Sequence, residues 1–75
     1  MQDEFYLSET DRFKFKIAVT MEYSKMSGVP MEDAVQMFID NNIYQYLDDG
    51  ADQFINRTYR YMARDVADEF NLPMA

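Results

Sequence analysis

Seventy-five residues form a chain long enough for one domain, and a hydrophobic share of 48% indicates a folded rather than a disordered protein. Cysteine and histidine are both absent, which excludes disulfides, thiolate chemistry and the usual acid–base group at neutral pH. The net charge of −7 disfavours binding to the phosphate backbone of a nucleic acid.

The chain begins with an irregular arm at residues 1–8, and a first helix is predicted at residues 9–27. Ser8 with Asp11 three residues later resembles a capping box in which Asp replaces Glu, so the helix begins directly after Ser8. Gly28 suits the C′ position beyond the last turn, because glycine adopts the left-handed conformation that ends many helices.

Two short helices follow as a hairpin, predicted at residues 31–41 and 43–55. Val29-Pro30 form the turn before them, since proline disfavours a helical residue in front of it and suits the start of a helix. Asn41-Asn42 separate the two helices, because asparagine tolerates the left-handed conformation at a helix end.

A short link from Asn56 to Thr58 leads into a fourth helix, predicted at residues 58–70. Asn71-Leu72-Pro73 ends this helix, and residues 73–75 form a tail. No stretch shows the sustained alternation of a strand, and no internal repeat is visible. The sequence therefore predicts an all-α fold, a compact bundle of about four short helices that forms a single domain over residues 9–72.

Apolar stripes on three of the helices predict the hydrophobic core. Each stripe follows the helical repeat, with acidic residues on the opposite side of the second and third helices. Gly50 falls on the apolar side of the third helix, where the missing side chain lets another helix approach closely. The predicted core residues are Met31, Ala34, Val35, Phe38 and Ile39 on the second helix, Ile43, Leu47, Ala51 and Phe54 on the third, and Tyr59, Met62, Ala63, Val66 and Phe70 on the fourth.

The first helix is apolar on two sides, so it is either central in the fold or in contact with something beyond it. The central position is the first interpretation, because so small a domain has few other residues to build a core. A homodimer that forms through this helix or the arm is the alternative. One arc holds Phe13, Ile17 and Met21, the other holds Phe15, Val19, Tyr23 and Met26, and the residues predicted for the alternative interface are Phe5, Tyr6, Phe15, Val19, Tyr23 and Met26.

The negative charge is concentrated in the middle of the chain. Residues 26–56 contain six acidic residues and no Lys or Arg, whereas the net charge is −1 before them and zero after them. Such a cluster is either a solvated face that keeps the protein soluble or a docking surface that attracts a basic protein. In the second interpretation Met37 adds an apolar contact inside an acidic rim. The predicted partner-binding residues are Asp33, Met37, Asp40, Asp48, Asp49 and Asp52.

Motifs for catalysis, metals or cofactors are not found in the sequence. Residues 48–52 superficially suggest a calcium loop, but they lack the alternating oxygen ligands and the closing Glu of an EF-hand. No nucleophile elbow, glycine-rich phosphate loop or zinc signature is present. The sequence therefore predicts a protein that is not an enzyme and needs no cofactor. With no apolar run of membrane-spanning length and no signal-peptide pattern, it also predicts a cytoplasmic protein.

A transcriptional regulator is a second alternative, based on the basic stripe Arg57, Arg60 and Arg64 of the fourth helix. A tight turn joins the second and third helices, as in a helix-turn-helix. The third helix, however, presents aspartates where a recognition helix presents basic or amide side chains. Asp65 and Asp68 are also placed to form ion pairs with the arginines. Nucleic-acid binding is therefore not expected.

A series of motifs at mainly fold-defining positions runs from Phe13 to Leu72. They are Glu22-Tyr23-Ser24-Lys25, Gly28, Glu32 to Val35, Phe38, Ile43, Tyr46-Leu47, Gly50 and the segment from Tyr61 to Phe70. In these motifs the chain resembles an uncharacterised family of short bacterial helical proteins, a domain of unknown function. Relatives often have a His-Thr pair at the positions of Ile55-Asn56, so no role is implied there, and the matching Tyr46 and Asp65 are expected to be structural.

The resemblance implies an antitoxin-like or accessory protein, because members are often encoded beside proteins that resemble ADP-ribosyltransferase toxins. Together with the charge distribution, it predicts a non-enzymatic interaction module that binds a basic protein, such as a toxin, through the acidic hairpin. The homodimer and the transcriptional regulator stay as the alternatives.

Overall fold

The computed structural model describes residues 9–50 and 57–74, with side chains from Asp11 onward. These residues form four α-helices and no strand, which confirms the predicted all-α bundle. The predicted arm with Ser8, Phe5 and Tyr6 lies outside the described residues, as do Ala51, Asp52, Phe54 and the rest of 51–56. The helices are α1 (Glu9–Ser27), α2 (Met31–Asp40), α3 (Ile43–Asp49) and α4 (Tyr59–Phe70).

The helix ends are set by residues that accept unusual backbone conformations. Gly28, Asn42 and Asn71 have φ angles of 82°, 60° and 57°, so all three lie in the left-handed region, as predicted for Gly28 and for the turn at Asn41-Asn42. After α4, the Leu72 amide donates to the Ala67 carbonyl at 2.9 Å, which is the hydrogen bond of a Schellman motif. At its beginning, the Thr58 hydroxyl caps α4 by accepting from the Tyr61 amide at 3.0 Å.

The helix α3 differs from its prediction at the C-terminal end. It ends at Asp49, and the amide of Gly50 donates to the Tyr46 carbonyl at 3.0 Å as the C-cap. The apolar pattern had placed Gly50 inside the helix, but it lies directly after the last helical residue. Two effects favour this end, since glycine weakens a helix interior and the acids Asp48 and Asp49 oppose the negative end of the helix dipole.

The prediction that α1 is central is confirmed only in part, because α1 contacts the other three helices but buries only one of its two apolar arcs. It packs against α2, α3 and α4, and its most extensive contact is with α4. Only one of its arcs faces inward, and the other points to solvent. The buried core consists of Phe15, Val19, Thr20 and Tyr23 from α1, Ala34 and Phe38 from α2, Ile43 and Leu47 from α3, and Met62, Ala63, Val66 and Ala67 from α4.

Two predicted core residues are on the surface instead. Ile39 is 55% exposed and Tyr59 is 47% exposed. Because α2 packs against both α1 and α3, its buried face is centred on Ala34 and Phe38, and Met37 packs against the core from the other side of that face. Ile39 lies beyond the edge of the contact and projects outward.

The buried hydroxyl groups of α1 and its neighbours hold the helices together. The Tyr23 hydroxyl donates to the Pro73 carbonyl at 2.7 Å, so the predicted tail is attached to the central helix. The Thr20 and Tyr44 hydroxyls are 2.7 Å apart, and Thr20 also donates to the Lys16 carbonyl. Phe38 lies between the Tyr23 and Tyr44 rings, with centroid distances of 5.6 and 5.5 Å. These contacts fix how α2 and α3 sit on α1.

Candidate interaction surfaces

The predicted acidic surface is only partly retained in the folded molecule. Asp33, Asp40 and Asp49 are exposed, and Asp52 lies outside the described residues. Asp48 and Met37 are half-buried and have other contacts. The hairpin therefore does not present its six acids as one free face.

The carboxylate of Asp48 connects α3 to the basic residues of α1. Its Oδ2 atom accepts a hydrogen bond from Lys16 Nζ at 2.9 Å, and its Oδ1 atom is 3.7 Å from a guanidinium nitrogen of Arg12. The second distance is too long for a hydrogen bond, so Arg12 contributes charge attraction alone. Asp48 is therefore a structural residue, and the prediction that it binds a partner is not supported by its surroundings. No local sequence signal indicates this pairing, because the residues are 32 or more positions apart.

Met37 was predicted as the apolar contact of the acidic surface, but it packs against the hydrophobic core. The residue that takes this position is Ile39, whose side chain is 55% exposed between acidic neighbours. A wheel shows Ile39 at the edge of the apolar arc of α2, so its exposure depends on how α2 packs rather than on its sequence position.

The outer surface of α2 is the strongest concentration of unpaired acidity in the described part of the chain. Its members cover a continuous arc of about 120° on the helix, at 100° per residue. No Lys or Arg of the described residues lies within 4.0 Å of its carboxylates, and Asp40 accepts a hydrogen bond only from Gln36, at 2.8 Å. We define this acidic α2 face as Glu32, Asp33, Gln36, Ile39 and Asp40.

The residues predicted for a homodimer interface on α1 are on the wrong side of the helix. Phe15 is 8% exposed, and Val19 and Tyr23 are fully buried, so they cannot contact a second molecule in the folded state. Met26 is half-buried and packs against the same core. Their burial follows from the central position of α1. The large apolar residues described as exposed on α1 belong to the opposite arc, where Phe13 is 64% exposed and Met21 is 46% exposed, with the half-buried Ile17 between them.

Arg57, just before α4, and Arg60 and Arg64 on α4 are exposed, and they do not form the predicted ion pairs with Asp65 and Asp68. Among the described residues, no carboxylate lies within 4.0 Å of Arg57, Arg60 or Arg64. Arg57 instead lies over the Tyr61 ring, 5.0 Å from its centroid. Arg60 and Arg64 line an open groove of about 330 Å³ together with Met26, Asp68 and Met74.

Tyr46 and Asp65 form a hydrogen-bonded pair between α3 and α4. The Tyr46 hydroxyl donates to Asp65 Oδ2 at 2.8 Å, and its ring packs edge-on against Phe70 with a centroid distance of 5.1 Å. Burial raises the pKa of Tyr46 to about 12, helped by the hydrogen bond to Asp65 and by the negative charges of Asp65 and Glu69. The pair therefore contributes to the structure, as expected for these two positions.

Two further observations concern the described residues alone. Their acidic side chains form no group of three that could hold a metal ion. None of their helices combines the length and the apolar character needed to cross a bilayer.

No protein-family model, curated protein or solved structure matches this chain. The likeness to an uncharacterised bacterial family therefore rests on the motifs of the sequence and stays a prediction.

Proposed function

We propose that this protein is a non-enzymatic interaction module that binds a basic protein through the acidic α2 face. The observation that carries the proposal is the state of Glu32, Asp33 and Asp40, which are exposed and have no cationic neighbour within the described residues. Asp48 differs from these three residues, because Lys16 and Arg12 of the same chain lie beside its carboxylate.

The acidic α2 face combines the two contributions that a docking surface needs. Its carboxylates attract a basic partner over several ångströms and increase the rate of encounter. Ile39 supplies an exposed apolar side chain that would become buried on contact, where most of the binding free energy of an interface arises. The acidic α2 face therefore offers an apolar contact beside its charges.

The family resemblance favours an antitoxin-like role in the bacterial cytoplasm. In that role the acidic α2 face would cover a basic surface of a toxin and restrain its activity. The rigid attachment of α2 to α1, through the Phe38 and Tyr23 rings, supports binding without a costly ordering step, because the face is already formed.

The test is site-specific cross-linking in an extract of the producing cells. A photo-reactive amino acid replaces Gln36, which is exposed at the centre of the acidic α2 face, and in a control it replaces Asp68, which is exposed on α4. We expect a cross-link to a protein of basic isoelectric point from position 36 and not from position 68. Equal labelling from both positions, or none from position 36, would contradict the proposal.

A pair of charge variants then tests the contribution of the carboxylates. D33K/D40K reverses two charges on the acidic α2 face, and D68K/E69K makes the same change in net charge on exposed residues of α4. We expect the first variant to lose the position-36 cross-link at physiological salt and the second to keep it. If both variants lose it equally, the net charge rather than the face determines binding.

A further inference from the structure

An apolar stripe on the outer side of α1 reaches solvent in the described part of the chain. Phe13, Ile17 and Met21 follow one another at intervals of four residues, and we call them the α1 stripe. Phe13 and Met21 are 64% and 46% exposed, and Ile17 between them is half-buried. Residues at this interval form a ridge on a helix surface, and two helices pack by fitting such ridges into each other's grooves. The α1 stripe therefore offers a ridge to a second helix.

Charged residues of both signs lie along one side of the α1 stripe. At about 100° per residue, Lys14, Lys25, Asp11 and Glu22 lie about 60°, 80°, 120° and 140° round α1 from Ile17, all in the same direction. Asp11, Lys14 and Lys25 are exposed, and Glu22 is half-buried with its carboxylate 3.6 Å from Lys25 Nζ. We define these four charged residues as the mixed flank.

The order of the charges makes the mixed flank complementary to a reversed copy of itself. From the beginning of α1 to its end, the order is acid, base, acid, base, at Asp11, Lys14, Glu22 and Lys25. In the opposite direction the order is base, acid, base, acid. An antiparallel copy of the same helix would therefore place opposite charges next to each other along the whole flank.

We propose that the α1 stripes of two copies of this chain pack together antiparallel, about a twofold axis at Ile17. Ile17 then faces Ile17 of the second copy, and Phe13 faces its Met21, a contact between an aromatic ring and a thioether that is favourable in proteins. A twofold axis brings the same surface of both molecules together, so the two mixed flanks meet. This contact uses a surface other than the acidic α2 face and does not depend on the proposed function.

The alignment that centres the apolar contact on Ile17 also brings each lysine of the mixed flank to an acid. Lys14 comes within two residues of the level of Glu22 of the second copy, and Lys25 within two residues of its Asp11, which is about 3 Å along the helix axis. A lysine side chain spans such an offset. The apolar spacing and the charge spacing therefore favour the same alignment, and the ion pairs mainly select the orientation of the contact.

A parallel contact is disfavoured because it brings opposite sides of α1 together. Glu22 and Lys25 would then face the side that carries Arg12 and Lys16, which has no charged residue after Lys16. Neither would meet an opposite charge at its own level. In the antiparallel contact the two Lys16 side chains approach each other, but each lies 2.9 Å from Asp48 of its own molecule, which balances its charge.

The experiment is sedimentation equilibrium of the purified full chain and of two variants with paired charge reversals. K14E/K25E makes the mixed flank wholly acidic, and D11K/E22K makes it wholly basic. We expect the wild type to associate with a Kd below about 1 mM, the weak limit for a specific contact. Each variant alone should associate at least about tenfold more weakly, because like charges then meet across the contact. Mixing the two variants in equal amounts should restore association.

Two further variants separate the contact from general effects of charge and of apolar surface. D33K/D40K makes the same change in net charge as D11K/E22K, but on the acidic α2 face, and should associate as the wild type does. F13S/M21S removes the apolar contact without a change of charge and should weaken association by about tenfold or more. Unchanged helix content in circular dichroism shows that each variant is folded. A charge variant that does not fold is replaced by the neutral K14Q/K25Q or D11N/E22Q, for which weaker association is expected.

The proposal is overturned if the wild type stays monomeric up to about 1 mM, if K14E/K25E or D11K/E22K alone associates as strongly as the wild type, or if their mixture stays monomeric. A monomeric wild type would leave residues 1–8 of the same chain, or a different protein, as the occupant of the α1 stripe. The cross-link expected from position 36 is independent of all these results, so either proposal can fail without the other.

Discussion

Replacing Asp48 with lysine should destabilise the fold, whereas the same change at Asp40 should not. Both are aspartates of the acidic hairpin, and the sequence alone gives no reason to separate them. In the structure Asp48 is 2.9 Å from Lys16 Nζ and 3.7 Å from Arg12, while Asp40 is exposed and contacts Gln36 of its own helix. The two substitutions therefore change net charge equally in different surroundings.

The magnitude follows from distance and exposure. The side chains of Asp48 and Lys16 are 29% and 25% exposed, so solvent screens their attraction partly, and its loss should cost about 1 kcal/mol. A lysine at position 48 adds repulsion from two cations, each about 1 kcal/mol at such distances in a water-like medium. Asp48→Lys should then lower the free energy of unfolding by about 2–3 kcal/mol, or about 10–20 °C in melting temperature for a chain of this size. Asp40→Lys should stay within about 0.5 kcal/mol of the wild type.

Urea unfolding followed by circular dichroism measures the change in the free energy of unfolding for both variants. The Asp48→Ala variant separates the loss of attraction from the new repulsion. A double-mutant cycle with Lys16→Met isolates the coupling between the two side chains. Equal unfolding midpoints for the Asp48→Lys and Asp40→Lys variants would refute the reasoning. A coupling free energy indistinguishable from zero would show that the ion pair between Asp48 and Lys16 does not stabilise the fold.

Three further predictions concern stability. The raised pKa of Tyr46 means that its ionised form is disfavoured in the folded state, so its contribution to the free energy of unfolding is complete below pH 10.0 and decreases as the pH rises towards about 12. Urea midpoints measured across this pH range should fall less in Tyr46→Phe than in the wild type. The same decrease in both proteins would contradict the assignment. Tyr23→Phe removes the hydrogen bond to the Pro73 carbonyl and should lower the free energy of unfolding in urea by about 1 kcal/mol. The amide of Leu72 should also exchange faster. An unchanged exchange rate would show that other contacts hold the tail. Asn42→Gly should leave the melting temperature unchanged or raise it, while Asn42→Ala should cost about 1 kcal/mol because its φ is 60°; equal melting temperatures would rule out backbone strain at this turn.

The helix ends could be predicted because the signals that set them are local. Glycine and asparagine tolerate left-handed backbone, so Gly28, Asn42 and Asn71 mark places where a helix can end whatever the rest of the fold. The predicted end of α3 was wrong because the prediction followed the apolar pattern rather than the local signals. An apolar pattern that continues past Gly50 suggests a longer helix, but the glycine and the two preceding acids weigh against one.

The inward side of α1 could not be predicted, because both of its arcs are apolar. A wheel identifies faces and gives no direction when hydrophobic residues surround the helix. One clue was present in the side chains themselves. The arc with Tyr23 and the neighbouring Thr20 carries hydroxyl groups that a core must satisfy, and the fold does so with Pro73 and Tyr44. The pairing of Lys16 with Asp48 depends on the same packing, so it could not be predicted from the sequence either.

Salt dependence tests the basic protein proposed as the partner of the acidic α2 face. A basic protein and this acidic chain attract each other at every distance, so added salt should weaken their complex steadily. At about 0.1 M salt the screening length is about 10 Å, so the attraction between charges that are farther apart than this is largely removed. Binding of the basic partner should therefore be strongest at the lowest salt, and an affinity that does not change with salt would argue against docking by charge through the acidic α2 face.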